Sequence, residues 1–322
     1  MRAWLPERHV SGPERAQERD IEGLNRVFAE AFTDRYRRDG LVGVRVPYLN
    51  PQVWRYALLD AGDGAMVWRD DAGEIAAFNI AHRSGAEGWM GPLAVRTDRQ
   101  GTGVGKTIVR TAVDWLLDQG VATLGLETMP RTVENIGFYA RLGFTPGYLT
   151  LTMTQDLGTR GHAAPSLLSQ RLPAARDAGL EAARGLVAAL AHGPDFTREI
   201  VLTAQLGLGD TTLLEGNAGL DGLVVWHSAP LAEGRPKEEV RILKLAARDE
   251  RAFQAVITAT EAAAARAGIR RVAVRCETRH TLAFRRLVER GYRVRWTDLR
   301  MTYDGYPEPE LPEGVLFSNW EI

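Results

Sequence analysis

Cysteine is almost missing from this chain of 322 residues: Cys276 stands alone, so no internal disulfide can form. Its place at the end of the strand-like run Val272–Cys276 marks it as buried packing, and a reducing, cytoplasmic setting is expected. Neither charge sign is in excess, with 40 Lys+Arg against 41 Asp+Glu. That balance gives no nucleic-acid footprint and no polybasic membrane anchor. No apolar run approaches the length of a membrane span, and the first fifteen residues hold no signal-peptide core. The six histidines show no ligand spacing with Cys or carboxylates, so no metal is expected. What remains is an ordinary globular composition, 45% hydrophobic and 25% charged, on a chain long enough for two domains.

Residues 100–107 read Gln-Gly-Thr-Gly-Val-Gly-Lys-Thr. They lie between a strand-like run, Trp89–Val95, and an amphipathic helix from Val104 to about Leu117. Glycines let main-chain amides approach a bulky anion, and a helix N-terminus adds partial positive charge. A phosphate-bearing ligand is therefore expected here. A nucleotide P-loop would need Gly where Gln100 stands, and counting from Gly101 leaves the loop one residue short. A dinucleotide fingerprint would need G-x-G-x-x-G, whereas Gly101, Gly103 and Gly105 give G-x-G-x-G.

The pattern met in full is [Gln/Arg]-x-x-Gly-x-[Gly/Ala], through Gln100, Gly103 and Gly105. It resembles the pyrophosphate loop of the GNAT superfamily of acyl-CoA transferases, and the resemblance spans roughly residues 15–155. Leu93-Ala94-Val95 is similar to the family's fourth strand, whose main chain pairs with the pantetheine arm. Leu124–Thr128 is similar to the fifth strand, and Thr132–Phe144 to the last helix with its Phe-Tyr-x-x-x-Gly-Phe ending. The resemblance implies acetyl-CoA as acyl donor, held by Leu93, Ala94, Val95, Gln100, Gly101, Thr102, Gly103, Val104, Gly105, Lys106 and Thr107. It implies Tyr139 as the acid for the departing thiolate. Where the family often carries a cofactor-binding Asn, this chain has Thr132, with Asn135 one turn later. Glu127, His82 and Glu87 are the candidates for a base. Arg35, Tyr36, Arg37 and Arg38 could line an acceptor pocket or simply end a solvated helix.

A second copy of the plan follows. Residues 148 positions apart correspond: Gly120 with Gly268, Gly143 with Gly291, Leu151 with Leu299, Met153 with Met301, and strand Leu124–Thr128 with Val272–Cys276. The second copy lacks the chemistry, because Asp249, Arg251 and Phe253 replace the three glycines and Leu287 replaces Tyr139. The expected fold is α/β with a mixed sheet, as two tandem GNAT-like acyl-CoA N-acyltransferase domains. Residues 1–157 would form the catalytic domain, 158–177 a linker and 178–322 a degenerate domain with an apolar tail at Leu316–Ile322.

Among the smaller elements, Asp20 should cap a helix Ile21–Phe32, and Gln52–Leu59 should form a short helix. Ala65–Trp68 and Glu74–His82 should pair across Asp70–Gly73, while Pro92 points to a bulge in its strand. The expected function is acetyl transfer to a primary amine of a small molecule or peptide. The alternative is a non-catalytic acyl-CoA-binding regulatory module. Beyond the amine acceptor, a second copy of the chain (a homodimer) is an open partner, while nucleic acid and membrane are not expected.

Overall fold

The computed structural model describes residues 9–158, 165–217, 219–310 and 314–320. The first half runs β1 (Val10–Arg15), α1 (Ile21–Arg38), α2 (Pro51–Ala61), β2 (Ala65–Asp70), β3 (Ile75–Ser84), β4 (Glu87–Val95), α3 (Val104–Asp118), β5 (Thr123–Thr128), α4 (Val133–Ala140) and β6 (Phe144–Asp156). The second runs β7 (Ser166–Leu167), α5 (Pro173–Leu190), α6 (Thr197–Gln205), β8 (Gly209–Gly216), β9 (Gly219–His227), β10 (Glu239–Ala247), α7 (Glu250–Arg266), β11 (Arg271–Glu277), α8 (Thr281–Glu289), β12 (Arg293–Tyr303) and β13 (Val315–Ser318).

Strand periodicity sorts the first-half core onto two faces. Val67, Phe78 and Ile80 join Leu24, Val27 and Trp54 under α1 and α2. Their strand neighbours Met66, Trp68, Ala77 and Ala81 join Ile108, Ala112 and Leu116 of α3 on the other face. The second half repeats the plan, with α5 and α6 on one face and α7 and α8 on the other.

All strands belong to one sheet, in the order β1-β2-β3-β4-β5-β12-β6-β11-β10-β9-β8-β7, with β13 paired to β10. The halves exchange their last long strands. β12 pairs with β5 of the first half, and β6 pairs with β11 of the second. The two pairings share one register: Met301 faces Leu126 and Met153 faces Val274, each residue 148 positions from its counterpart. Met301 accordingly lies in the first-half core and Met153 in the second-half core. The 148-residue repeat is thus a pseudo-twofold of the sheet.

Several expectations need correction. Residues 158–177 are not all linker: β7 pairs with β8, and α5 begins at Pro173, a residue suited to a first helical position. Residues 159–164 of that stretch lie outside the described residues. Helix α1 extends six residues beyond Phe32, and its last turn carries Arg35, Arg37 and Arg38, cations that suit a helix C-terminus. The expected helix Thr132–Phe144 stops at Ala140, and Gly143 at φ +92° turns the chain so that Phe144 already opens β6. β1 was not foreseen: only one of its six residues is even half-buried, so no apolar alternation announced it.

Candidate active site

β4 and β5 run parallel and paired only from Glu87–Met90 against Thr123–Leu126. Beyond Met90 they part. On its other side β4 changes register between Met90 and Leu93, which leaves Gly91 and Pro92 as a bulge, as the proline suggested. Leu93, Ala94 and Val95 stay paired to β3 through Asn79, Phe78 and Ala77, so their second edge faces the opening.

That opening is a cleft of about 200 Å³. It brings together Leu93, Ala94, Val95, Gln100, Gly105, Asn135 and Tyr139. The other loop residues are placed differently. Thr102, Gly103, Val104, Lys106 and Thr107 line a separate depression with Arg110, and Gly101 belongs to the lining of neither.

The loop's shape follows from its residues. Gln100 Nε2 donates to the Val95 carbonyl at 3.0 Å and ties the loop to the end of β4. Gly101 and Gly103 sit at φ +76° and +93°, where a Cβ would be strained. Gly103 is the N-cap of α3, and the amides of Lys106 and Thr107 bond back to its carbonyl. The amides of Val104 and Gly105 are then the first-turn donors without an intrahelical acceptor.

Tyr139 is buried between the rings of Phe138 and Phe144, and burial raises its phenol above the ordinary value of 10. It stays protonated at every working pH. Thr132, at the N-cap of α4, is fully buried and donates its hydroxyl to Asp39. It is therefore turned to α1 and not to the cleft, which Asn135 lines. Arg35 bridges Asp39 and Glu134, and Arg37 and Arg38 both pair with Asp34. Arg35 and Arg38 line this first cleft, and Tyr36 and Arg37 do not.

A second cavity of about 250 Å³ lies at the same strand split and shares Phe32 with the first. Its first-half walls are Phe28, Phe32, Leu49, Trp89, Met90, Gly91 and Pro92. Its second-half walls are Leu231, Arg275, Asp298 and Trp320. Glu127 completes the polar side. Glu127 accepts from Thr150 Oγ1 at 2.6 Å, from Arg300 Nη1 at 3.0 Å and from Arg275. Burial pushes the Glu127 carboxyl up, but Arg275 and Arg300 outweigh it, and the group is held ionised below its ordinary value. Asp298 differs. Burial raises it, the neighbouring Glu127 adds to this, and Arg275 and the Trp296 N–H pull it back only in part, so it is pushed up to about 6. Asp298, Arg275 and Trp320 were missed by sequence reasoning, because they belong to the other half.

The remaining base candidates, His82 and Glu87, are bound up in buried contacts of their own. His82 is buried, with Nδ1 at 2.8 Å from Asp60 and its ring stacked on Trp320. Glu87 is buried and accepts from Ser318 at 2.7 Å; burial raises its carboxyl despite Lys244. Neither lines the two cavities.

The second half has its own strand split, and it is filled. β10 pairs with β11 only from Glu239 to Ile242. Past that point β13 takes over, Ser318–Val315 against Lys244–Ala247, and Asn319 bonds both Leu243 and Arg275 main chain. The apolar tail thus docks as a strand in the place that stays open beside β4. At the N-terminus of α7, Asp249 itself accepts from the Ala252 amide at 2.8 Å, and Phe253 and Leu287 are fully buried. Cys276 is buried too, and burial raises its thiol. Among the described residues no group of three His, Cys, Asp or Glu is arranged to hold a metal, and no helix is long and apolar enough to cross a membrane.

Residues 24–144 match the profile of the acetyltransferase (GNAT) family. No curated protein matches the chain in sequence. Solved structures match its fold along nearly the whole length. A provisionally assigned acetyltransferase of Pyrococcus horikoshii aligns with a TM-score of 0.68 at 14% identity, covering 98% of this chain and 97% of that one. The N-myristoyltransferase of Saccharomyces cerevisiae, solved with myristoyl-CoA, aligns at 0.63 and 11%, covering 94% and 80%. A tandem GNAT protein from the clavulanic acid biosynthesis pathway aligns at 0.60 and 13%, covering 93% and 100%.

Proposed function

We propose, from the GNAT-family match of residues 24–144 and a fold shared with a tandem GNAT protein, that the chain is an acyl-CoA-dependent N-acyltransferase whose first half binds acetyl-CoA and passes the acetyl group to a primary amine of a small molecule or peptide. The observation that carries this is the single cleft in which an open strand edge, Leu93–Val95, meets Gln100, Gly105, Asn135 and Tyr139. The residues present suit acyl-CoA. Two positive-φ glycines and the unpaired amides of Val104 and Gly105 form a cradle for a pyrophosphate at the start of α3. The free edge of Leu93–Val95 can hydrogen-bond an extended amide-bearing arm as a neighbouring strand would.

Each residue then has a defined task. Amides on the open edge of Leu93–Val95 stabilise negative charge on the thioester carbonyl oxygen during attack. Tyr139, kept protonated by burial, offers its O–H to the departing sulfur. The walls of Phe32, Trp89 and Met90 exclude water from the reacting bond. The second half takes no cofactor in this reading, since its split is filled by β13 and the Ala252 amide at the start of α7 is already taken by Asp249. The test is release of free CoA thiol from acetyl-CoA on addition of primary amines, with mass spectrometry of the amine product. A chain that binds acetyl-CoA yet acylates none of a broad amine panel would replace this reading with that of a binding module.

A further inference from the structure

The second cavity sits where the halves meet, and its charged groups are related by the pseudo-twofold. Glu127 and Arg275 stand 148 positions apart, as do Thr150 and Asp298. Glu127 bonds Thr150, and Arg275 bonds Asp298 Oδ2 at 3.1 Å, so each half contributes the same pair of positions with different chemistry. Thr150 makes a neutral partner for Glu127; Asp298 brings a second carboxylate to the same cavity.

We infer that this cavity is the acceptor site, that it takes a primary amine carried on an apolar, aromatic-sized body, and that Asp298 of the second half is the catalytic residue that receives the proton of the acceptor's ammonium group. This rests on the acyltransferase reading of the first cleft. The apolar walls come from Phe28, Phe32, Leu49, Trp89, Leu231 and Trp320, and among the described residues Arg275 is the one cation of the lining. Arg275 is already engaged by Glu127 and Asp298. The Trp89 indole Nε1 is buried with no hydrogen-bond partner among the described residues, a donor left over at the wall of the cavity.

Of the two carboxylates, Glu127 takes three hydrogen bonds, from Thr150 and Arg300 on Oε1 and from Arg275 on Oε2, which leaves room on Oε2 alone. Among the described residues Asp298 takes two, from Arg275 on Oδ2 and from the Trp296 Nε1–H on Oδ1 at 3.2 Å, so each oxygen keeps a lone pair. The groups facing Asp298 are Arg275 of β11, Glu127 of β5, Tyr36 of α1, whose phenol is raised by burial and then by Asp298, and Trp296 and Thr150 on its own and the adjacent strand. R–NH3+ gives one proton to the Asp298 carboxylate. The freed nitrogen lone pair forms the C–N bond to the thioester carbonyl carbon, and the C–S bond breaks. Tyr139 gives its O–H proton to the departing sulfur and is restored by the nitrogen's surplus proton, and Asp298 returns its own proton to water.

The experiment uses the full chain, acetyl-CoA and 2-phenylethylamine, with 2-phenylethanol and glutamate as the uncharged and acidic comparisons. Wild type should acylate the aromatic amine, with kcat/KM rising as pH climbs through about 6 and Asp298 ionises. Asp298→Asn should keep acetyl-CoA affinity, which shows a folded chain. It should lose about 10²-fold or more in kcat/KM and lose the acidic limb of the profile. An Asp298→Asn variant with the wild-type rate and profile overturns the base assignment while leaving acyl transfer intact. Acylation of glutamate in preference to 2-phenylethylamine overturns the acceptor class. Absence of acetyl-CoA binding by wild type overturns the acyltransferase reading itself, and this inference with it.

Discussion

Thr150 and Asp298 face each other across β6 and β12, and they are the same position of the two repeats. A residue that pairs with its own repeat counterpart lies on the pseudo-twofold, so this pair marks the axis of the molecule. Around it the sheet is continuous, and the two split strands, β4 and β10, open toward the same central region from opposite sides. One split is left open beside Tyr139, and the other is closed by the chain's own tail, whose Trp320 ends in the central cavity.

The ionic group at this axis sets a pH dependence of stability. Glu127 has a folded pKa below its ordinary value, so its contribution is present above the unfolded value and is lost as pH falls through the folded one. Glu127→Ala would take from Arg275 and Arg300 one of the carboxylates they share and leave them Asp298, Glu277 and Glu308, which should cost up to about 3–5 kcal/mol, the scale for breaking a buried pair. Thermal unfolding at pH 7 should show that loss, and the gap between variant and wild type should narrow below about pH 4. A gap that is constant with pH would show that Glu127 is not held as a carboxylate.

Gly103 permits a sharper test of the loop. At φ +93° it opens α3, and a Cβ there would meet nothing within 4 Å, so a substitution strains the backbone without a clash. Gly103→Val should shift the loop amides and weaken acetyl-CoA binding at least tenfold, roughly 1.4 kcal/mol, while the melting temperature changes little. Calorimetry should give one acetyl-CoA per chain for wild type. Two equal sites would contradict the filled split of the second half.

Tyr139→Phe keeps the ring between Phe138 and Phe144 and removes only the hydroxyl. Acetyl-CoA affinity and stability should stay close to wild type, and kcat should fall by about 10²-fold if thiolate departure limits turnover. Because burial raises the phenol, no basic limb from Tyr139 should appear in the wild-type pH profile below pH 10. An unchanged kcat under chemistry-limited conditions would leave Tyr139 as a packing residue of α4.

How legible this was depends on range. The Gly-loop, α3 and the bulge at Pro92 are local: each is set by residues within one or two turns, and each could be read from its own segment. The exchange of β6 and β12 is not local. Both strands carry the same pattern, as Met153 and Met301 illustrate, so the pattern cannot say which of two equivalent β5-like edges each will join. The same ambiguity hid the acceptor cavity. Asp298 and Arg275 stand at positions where the first half has Thr150 and Glu127, a difference visible in the aligned repeats but meaningful only once the strands meet at the axis. The tail was readable as apolar; its partner was not, because that partner is a gap left by the divergence of β10 from β11.

The exchange also decides what separation of the halves would do. A chain ending at Leu157 would keep β6 but lose β12 and β11, its two neighbours in the sheet. It would uncover Leu151 and Met153, which are buried in the second-half core, and would strip β5 of the strand that covers its free edge. Two adjacent exposed edges with apolar side chains are an aggregation surface. The fragment would also lack Arg275, Asp298 and Trp320 from the acceptor cavity. Expressed alone, residues 1–157 should be poorly soluble or dimerise through β6, and any soluble fraction should bind acetyl-CoA more readily than it acylates amines. Co-expression with residues 158–322 should restore a one-to-one complex with a cooperative melt and activity. A monomeric, stable and fully active 1–157 fragment would show that neither β12 nor the second-half wall of the cavity is needed for the reaction.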